Sequence, residues 1–180
     1  MIGVFILEEI ASAQPAPMQT QSRKDVLMWL SLSMLIIVLD QLTKWWVSHA
    51  LELYQAVSVT SFFNIILAHN MGAAFSFLAD AGGWQRWLFT GVSISVSAVL
   101  VYWLFTLPKK DKMLAFALSM VIGGAVGNLI DRIVYGYVVD FLDFYWKNSH
   151  FPAFNIADSA ITLGAMILGY HILFDKTPSD

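Results

Sequence analysis

The chain lacks cysteine and carries little charge, and each absence excludes a class of protein. Without cysteine it has no disulfide, no thiolate nucleophile and no sulfur on which it could itself be lipidated. Only 13% of its 180 residues are charged, whereas 58% are hydrophobic. Because a soluble domain of this length carries roughly a quarter charged residues, the composition predicts a protein that crosses a membrane several times.

Histidine is also scarce, which limits the available chemistry. The four histidines do not have the spacing of a metal site, so we expect neither a metal nor another cofactor. Ser159 has no lysine or histidine near it in the sequence that could activate its hydroxyl, which argues against a serine nucleophile. Carboxylates and amides remain as the candidate functional groups.

Four hydrophobic runs are long enough to cross a bilayer, which takes about 20 mostly apolar residues. They cover residues 26 to about 47, 87–107, 113–130 and 155–174. The sequence therefore predicts a membrane α-helical fold with four transmembrane helices in a single domain, residues 26–174. Residues 1–25 are expected to be a disordered cytoplasmic extension, and residues 175–180 a cytoplasmic tail.

Basic residues indicate the orientation of these spans. They concentrate before the first span, between the second and third, and after the fourth, at Arg23, Lys24, Lys109, Lys110, Lys112 and Lys176. Because Lys and Arg are enriched in cytoplasmic loops, both termini are predicted to be cytoplasmic.

The connections on the opposite side have the composition of structured segments. Residues 57–60 and 62–68 resemble strands, with a turn at residues 70–72 and a further extended segment at residues 73–78. These segments predict a small β-sheet on the outer, non-cytoplasmic side of the membrane. The third connection is rich in aromatic residues and predicts a loop or helix that lies at the membrane interface on the same side.

Polar residues at membrane depth all fall toward this outer side: Asp40, Lys44, Asn70, Asn128, Asp131, Arg132, Asp140, Asn155 and Asp158. The pattern predicts one site at one surface. Carboxylates near hydrocarbon are costly and are seldom kept there without a partner or a task. Two carboxylates that meet in a shielded place can share a proton, which is the chemical basis of aspartic proteolysis.

Five short motifs occur in the order found in signal peptidase II, the lipoprotein signal peptidase family of bacteria. They are Asp40-Gln41-x-x-Lys44, Asn70-x-Gly72-Ala73-Ala74-Phe75, Gly123-Gly124-Ala125-x-Gly127-Asn128-x-x-Asp131-Arg132, Val138-Val139-Asp140-Phe141 and Phe154-Asn155-x-Ala157-Asp158-Ser159. Each motif is weak alone, but together they make the chain resemble this family over about residues 26–174. Met71 stands where the family commonly has threonine, and the segment before residue 26 lies outside the resemblance.

The resemblance implies a cofactor-independent aspartic endopeptidase of the bacterial inner membrane, with its active site at the periplasmic face. Such enzymes remove signal peptides from prolipoproteins by cutting before a diacylglyceryl-modified cysteine. The family's catalytic pair falls on Asp140 and Asp158. The expected partners are these prolipoproteins and membrane lipid, with no nucleic acid, and a monomer is sufficient.

The two carboxylates suit different roles. Asp158 follows Asn155 by three residues at a helix start, where asparagine caps the helix and the dipole favours an ionised carboxylate. Asp140 stands among aromatic residues, whose low polarity favours the protonated acid. We expect Asp158 to activate a water while Asp140 donates a proton to the scissile carbonyl. Asp131 does not inherit a catalytic role, and the adjacent Arg132 is expected to keep it ionised.

The remaining polar residues divide into two groups. Five are predicted to bind or support the substrate: Asn70, Gly72, Asn128, Arg132 and Asn155. Three are predicted to be structural, namely Asp40, Lys44 and Asp131, because Asp40 and Lys44 stand four apart on one helix face. Simpler roles stay open for several of these groups: a helix-start carboxylate at Asp158, a solvated loop residue at Asp140, a turn former at Asn70, and helix ties at Asn128 and Arg132.

Two other functions compete with a peptidase. A proton-coupled transporter would need carboxylates at several depths of the bilayer, which the sequence lacks. A non-catalytic four-helix scaffold would use the same aspartates and asparagines only to hold its helices together. In a scaffold, Asp→Asn changes would destabilise the fold, whereas in a peptidase they would remove activity and leave the fold largely intact.

Overall fold

A computed structural model describes residues 19–72 and 83–174, and four long helices make up most of this part of the chain. The helices are α1 (Arg23–Ala50), α2 (Gln85–Thr106), α3 (Lys112–Val134) and α4 (Ile156–Phe174). Each is long and apolar enough to cross a bilayer. The four predicted spans are therefore confirmed as helices of membrane-spanning length and composition.

Helix α1 begins before the predicted span because its start is well capped. The Ser22 hydroxyl accepts a hydrogen bond from the backbone N–H of Asp25, and the Asp25 carboxylate accepts one from the backbone N–H of Ser22. Just before this cap, Thr20 pairs with Pro108. Residues 19–25, which were predicted to belong to the disordered extension, are thus part of the fold. Residues 1–18 and the predicted tail lie outside the described residues.

Helix α3 lies at the centre of the bundle, where glycines allow its neighbours to approach closely. A Cβ atom at Gly123 would lie 2.9 Å from the backbone oxygen of Ser33 in α1. A Cβ atom at Gly124 would overlap the backbone oxygen of Ala157 in α4. Gly123 and Gly124 therefore face two different helices.

Four strands in the described part of the chain form one antiparallel sheet in the order β1-β2-β3-β4. Its strands are β1 (Ala56–Thr60), β2 (Phe63–Asn70), β3 (Val138–Trp146) and β4 (Ser149–His150). Strands β1 and β2 correspond to the two predicted strand segments, whereas the predicted extended segment at residues 73–78 lies outside the described residues. We call the end of the bundle that carries this sheet the sheet end.

The third connection differs from its prediction, because it supplies strands β3 and β4 where a loop or helix was expected. Strand β3 lacks a polar–apolar alternation since its first four residues are all buried. Val139 and Phe141 pack with Val47 of α1 and Leu67 of β2. Pairing of β2 with β3 joins the two outer connections and fixes the strands that carry the site.

Candidate active site

Asp140 and Asp158 come from different elements that meet at the sheet end. Asp140 lies in β3, where only 2% of its surface is exposed. Asp158 lies in the first turn of α4. Asn155 donates a hydrogen bond to Asp140 and accepts one from the backbone N–H of Asp158, so the fold brings together the two residues that the sequence motifs nominate.

Asp140 is held by two asparagine amides. The Nδ2 of Asn155 donates to its Oδ1 at 2.7 Å, and the Nδ2 of Asn70 donates to its Oδ2 at 3.0 Å. Burial and, next, the charge of Asp158 raise the pKa of Asp140 to about 7, although both amides oppose the shift. At neutral pH this carboxyl group is therefore poised to give up or take up a proton.

Asp158 is held by a third asparagine. The Nδ2 of Asn128 donates to Asp158 Oδ1 at 2.7 Å. The backbone N–H of Asp158 donates to the Oδ1 of Asn155 at 2.8 Å, which is the predicted cap at the start of α4. Asn155 consequently contacts both elements: its amide nitrogen bonds Asp140, and its amide oxygen caps the helix that carries Asp158.

The orientation of all three amides is fixed by groups that can only donate a hydrogen bond. The ammonium of Lys44 donates to Asn128 Oδ1 at 2.9 Å. The backbone N–H of Gly72 donates to Asn70 Oδ1 at 2.9 Å, and the backbone N–H of Asp158 donates to Asn155 Oδ1. Because each amide oxygen is occupied in this way, each amide nitrogen must face a carboxylate. The site thus directs neutral donors at both acids.

A buried ion network lies next to the acids. Lys44 Nζ is 2.7 Å from Asp40 Oδ2 and 2.8 Å from Asp131 Oδ2. The predicted ion pair of Asp40 and Lys44 is therefore present, with Asp131 as a further member. The cation on Asp131 is Lys44 and not the adjacent Arg132, because consecutive side chains on a helix do not face each other.

The two carboxylates of this network also hold the backbone of both candidate acids. Asp40 Oδ1 accepts from the backbone N–H of Ala157 at 2.9 Å, and Asp131 Oδ2 accepts from that of Val139 at 3.1 Å. Ala157 immediately precedes Asp158, and Val139 immediately precedes Asp140. The ion network therefore holds the backbone immediately before each candidate acid.

Arg132 links helix α3 to the turn after β2. Its Nη2 donates to the backbone oxygen of Gly72 at 3.2 Å, and its Nη1 donates to that of Asn128 at 3.3 Å. The guanidinium also lies 5.5 Å from the ring centroid of Phe89 in α2. Arg132 and Gly72 are thus brought to the site, where they close one side of it.

A cavity of about 540 Å³ opens beside Asp158 and extends between α2 and α4 across the surface of α3. Its polar end contains Asn70, Asn128, Arg132 and Asp158, and its wall toward the middle of the bundle contains Val92, Val96, Ile161, Leu163 and Met166. Asp140 lies buried at the sheet, next to the polar end. The cavity offers an apolar channel that ends at Asp158, and Asn70 at the same end is hydrogen-bonded to the buried Asp140.

Sequence reasoning missed two contributors to this site. Gln41 donates from Nε2 to Asp131 Oδ1 at 2.8 Å and to the backbone oxygen of Gly127 at 3.1 Å. Its place between Asp40 and Lys44 in a motif was the only signal for it. The other contributor is residues 151–154, which line the cavity and carry no charge that would single them out.

Comparisons with known proteins agree on one family. The sequence model for signal peptidase (SPase) II matches residues 32–174. The lipoprotein signal peptidase of Acinetobacter baumannii (strain ATCC 17978) is 58% identical over 142 residues, covering 79% of this chain and 81% of that one. The lipoprotein signal peptidase of Cupriavidus necator is 51% identical over 158 residues, covering 87% and 90%.

Solved structures show the same fold. A bacterial membrane enzyme determined by the in meso method at 2.3 Å resolution superposes with a TM-score of 0.75 at 27% identity. The match covers 92% of this chain and 99% of that chain. The architecture of four helices and a small sheet is therefore that of a membrane enzyme.

Proposed function

The chain belongs to the signal peptidase II family, and from that premise we propose that it cleaves diacylglyceryl-modified prolipoproteins just before the lipidated cysteine, using Asp140 and Asp158 as a general acid/base pair. Family membership makes it a peptidase, a multi-pass membrane protein and a member of the enzymes that remove signal peptides from prolipoproteins. The two-aspartate mechanism, the substrate contacts and the side of the membrane are the proposal.

One observation carries this proposal: Asp158 stands at the polar end of an apolar cavity and Asn155 links it to the buried Asp140, with neutral amides as the hydrogen-bond donors to both carboxyl groups. Aspartic proteolysis needs one protonated and one ionised carboxyl group. Burial and the charge of Asp158 raise the pKa of Asp140 to about 7, which supports Asp140 as the protonated member at neutral pH. Asp158 then starts the reaction as the base.

In the first step a water attacks the scissile carbonyl carbon. Asp158 takes a proton from that water, and Asp140 gives its proton to the carbonyl oxygen, which leaves a tetrahedral diol. Asp140 is ionised after this transfer, and the amides of Asn70 and Asn155 stabilise its new charge.

In the second step the diol collapses. Asp158 gives its proton to the nitrogen of the lipidated cysteine as the C–N bond breaks, and Asp140 recovers a proton from the diol hydroxyl. The products are a signal peptide with a free carboxylate and a lipoprotein with a free amino group. Both carboxyl groups return to their starting states, so the cycle consumes only water.

The apolar cavity supports a lipidated substrate. A diacylglyceryl cysteine is held in a leaflet by its acyl chains, so its scissile bond stays near the headgroups. A pair of acids at one end of a helix bundle meets that bond without extraction of the lipid. We assign the site to the periplasmic face of the bacterial inner membrane, with Asn70, Gly72, Asn128, Arg132 and Asn155 supporting the bound peptide.

The test is cleavage of a purified diacylglyceryl prolipoprotein by the full chain in lipid, followed as signal-peptide release on a gel. Asp140→Asn and Asp158→Asn are each expected to lower kcat by at least about 1,000-fold, because each removes a proton-transfer group. Both variants should keep a wild-type unfolding midpoint, since an asparagine occupies nearly the same volume as aspartate.

Asp131→Asn is the matched control, because Asp131 is a buried aspartate at the same end of the bundle whose partner is a lysine. It should lower the free energy of unfolding while most of the wild-type kcat remains. Retained cleavage in folded Asp140→Asn or Asp158→Asn would refute the two-aspartate mechanism. A wild-type protein that does not cleave this substrate would refute the proposed activity and would favour a non-catalytic four-helix scaffold.

A further inference from the structure

Residues 151–154 form one wall of the cavity. They directly follow strand β4 in the sequence, and the last residue of that strand is hydrogen-bonded to a side chain of strand β3. All four residues of this wall line the cavity: Phe151, Pro152, Ala153 and Phe154. The next residue is Asn155, which bonds Asp140 and caps α4. The position of the wall therefore determines the shape of the cavity next to the acids.

Backbone hydrogen bonds hold the wall at its two ends. Phe151 N donates to the backbone oxygen of Phe144 at 2.7 Å, and Phe154 N donates to that of Leu142 at 3.1 Å. Pro152, between these ends, has no N–H to donate. The strand that leads into the wall, β4, is only two residues long. A pairing this short adds little stability by itself, so side chains must contribute to fixing the wall.

The side chain of His150, the residue before the wall, is bonded to a buried carboxylate. His150 Nδ1 lies 2.9 Å from Oδ1 and 3.0 Å from Oδ2 of Asp143. Asp143 is only 4% exposed and also accepts from Asn64 Nδ2 at 2.9 Å. Leaving a buried carboxylate without its donors is costly. The pair therefore holds the start of the wall against β3, close to the strand position of Asp140.

Aromatic rings hold the wall from the other face of β3. Phe144 follows Asp143, so the two side chains project from opposite faces of the strand. The Phe144 ring is stacked on that of Phe154 with centroids 5.9 Å apart, and it also contacts Phe63 at 4.8 Å. The wall is thus clamped between a polar pair on one face and an aromatic row on the other.

We propose that Asp143 and His150 are positioning residues that hold the wall in the shape that binds the substrate peptide beside its scissile bond. The inference rests on the proposed function, since it assigns a role in binding that same substrate. The pair acts through residues 151–154 and not on the acids. Asn155 has its own bonds to Asp140, Asn128 and the backbone oxygen of Val139, so loss of the pair affects KM more than kcat.

The experiment measures kcat and KM of the full chain in lipid with a diacylglyceryl prolipoprotein, for wild type, His150→Ala and His150→Asn. His150→Ala is expected to raise KM by about 3- to 10-fold with kcat within about twofold, the size that loss of one half-exposed charged hydrogen bond allows. His150→Asn places an amide nitrogen where the Nδ1 of histidine stands and should restore KM to within about twofold of wild type.

His49→Ala is the matched control, because His49 is an exposed histidine whose hydrogen bond and ring contact both go to Trp45 of its own helix. It should leave kcat and KM unchanged. Hydrogen exchange of the peptide that spans residues 149–154 gives a second measurement without substrate. Exchange there should be faster in His150→Ala and in Asp143→Asn, and close to wild type in His150→Asn.

The outcomes separate this inference from the function on which it rests. An inert wild type refutes the proposed function. An active wild type with unchanged KM and unchanged exchange in His150→Ala refutes the positioning role. A loss confined to kcat, or a His150→Asn variant as impaired as His150→Ala, also refutes it, because the hydrogen bond would then not be the cause.

Discussion

Two pairs of carboxylates lie at the sheet end, and they differ in what stands between their members. Asp40 and Asp131 share the ammonium of Lys44. Asp140 and Asp158 have asparagine amides as their hydrogen-bond donors, and neither is in a salt bridge within residues 19–72 and 83–174. The single ammonium offsets one of the two negative charges of the first pair, whereas neutral amides orient the second pair and offset none of its charge. In the proposed mechanism the second pair relieves its repulsion by binding a proton.

Removing the shared cation should have the largest effect. Lys44→Met leaves Asp40 and Asp131 buried without a cation, which is expected to cost about 3–5 kcal/mol in the free energy of unfolding. Denaturation in detergent, followed by tryptophan fluorescence, measures the loss. Lys109→Met is the control, because its bridge to Asp25 is exposed to solvent and its loss should leave the free energy of unfolding almost unchanged. Equal losses in the two variants would contradict a structural role for the buried network.

Removing one amide donor from each pair of carboxylates should have different effects on catalysis and on stability. Asn128→Ala deletes the donor to Asp158 and is expected to lower kcat about 10- to 100-fold, the usual effect of one hydrogen bond to a charged group. Gln41→Ala deletes a donor to Asp131 and should reduce stability by about 1 kcal/mol while kcat stays within about threefold. Steady-state kinetics and unfolding of both variants test the contrast. It fails if Gln41→Ala loses as much kcat as Asn128→Ala.

The smallest expected effect is the response to alkaline pH. Burial raises the pKa of Asp140 to about 7, and in the proposed mechanism its acid form donates the proton in the first step. Raising the pH through this value removes that proton, so kcat/KM should fall about fivefold between pH 7 and 8. Lowering the pH back should restore activity. A profile that stays flat from about pH 6 to 9 would mean that no group with this pKa is needed in its acid form.

Hydropathy and charge were sufficient to predict the four helices and the clustering of polar groups at one end. The capped start of helix α1 was missed because Ser22 and Asp25 precede the apolar run. Strand β3 was missed for a different reason: Val138, Val139 and Phe141 are all buried, so the segment has no alternation that would distinguish a strand from an interfacial loop.

The contacts of the site join residues that are far apart in the sequence, and no local sequence pattern predicts such contacts. Spacing predicted the pair of Asp40 and Lys44, but the second carboxylate on Lys44 comes from Asp131 in another helix. The orientation of each asparagine amide depends on a donor that only the assembled fold supplies. Sequence motifs could therefore nominate Asn128 and Asn155, but their hydrogen-bond directions required the structure.

The hydrogen bond between Asp40 and the backbone of Ala157 joins positions 117 residues apart, and this separation has a consequence for biosynthesis. The chain emerges from the ribosome from its N-terminus, so helix α4 is the last of the four helices to enter the membrane. Asn155 and Asp158 arrive with it. Until then Asp140 lacks both its partner acid and one of its amide donors. The proposed catalytic pair of Asp140 and Asp158 therefore cannot assemble during most of the insertion of a newly made chain, so the order of synthesis itself delays activity until the last helix is in place.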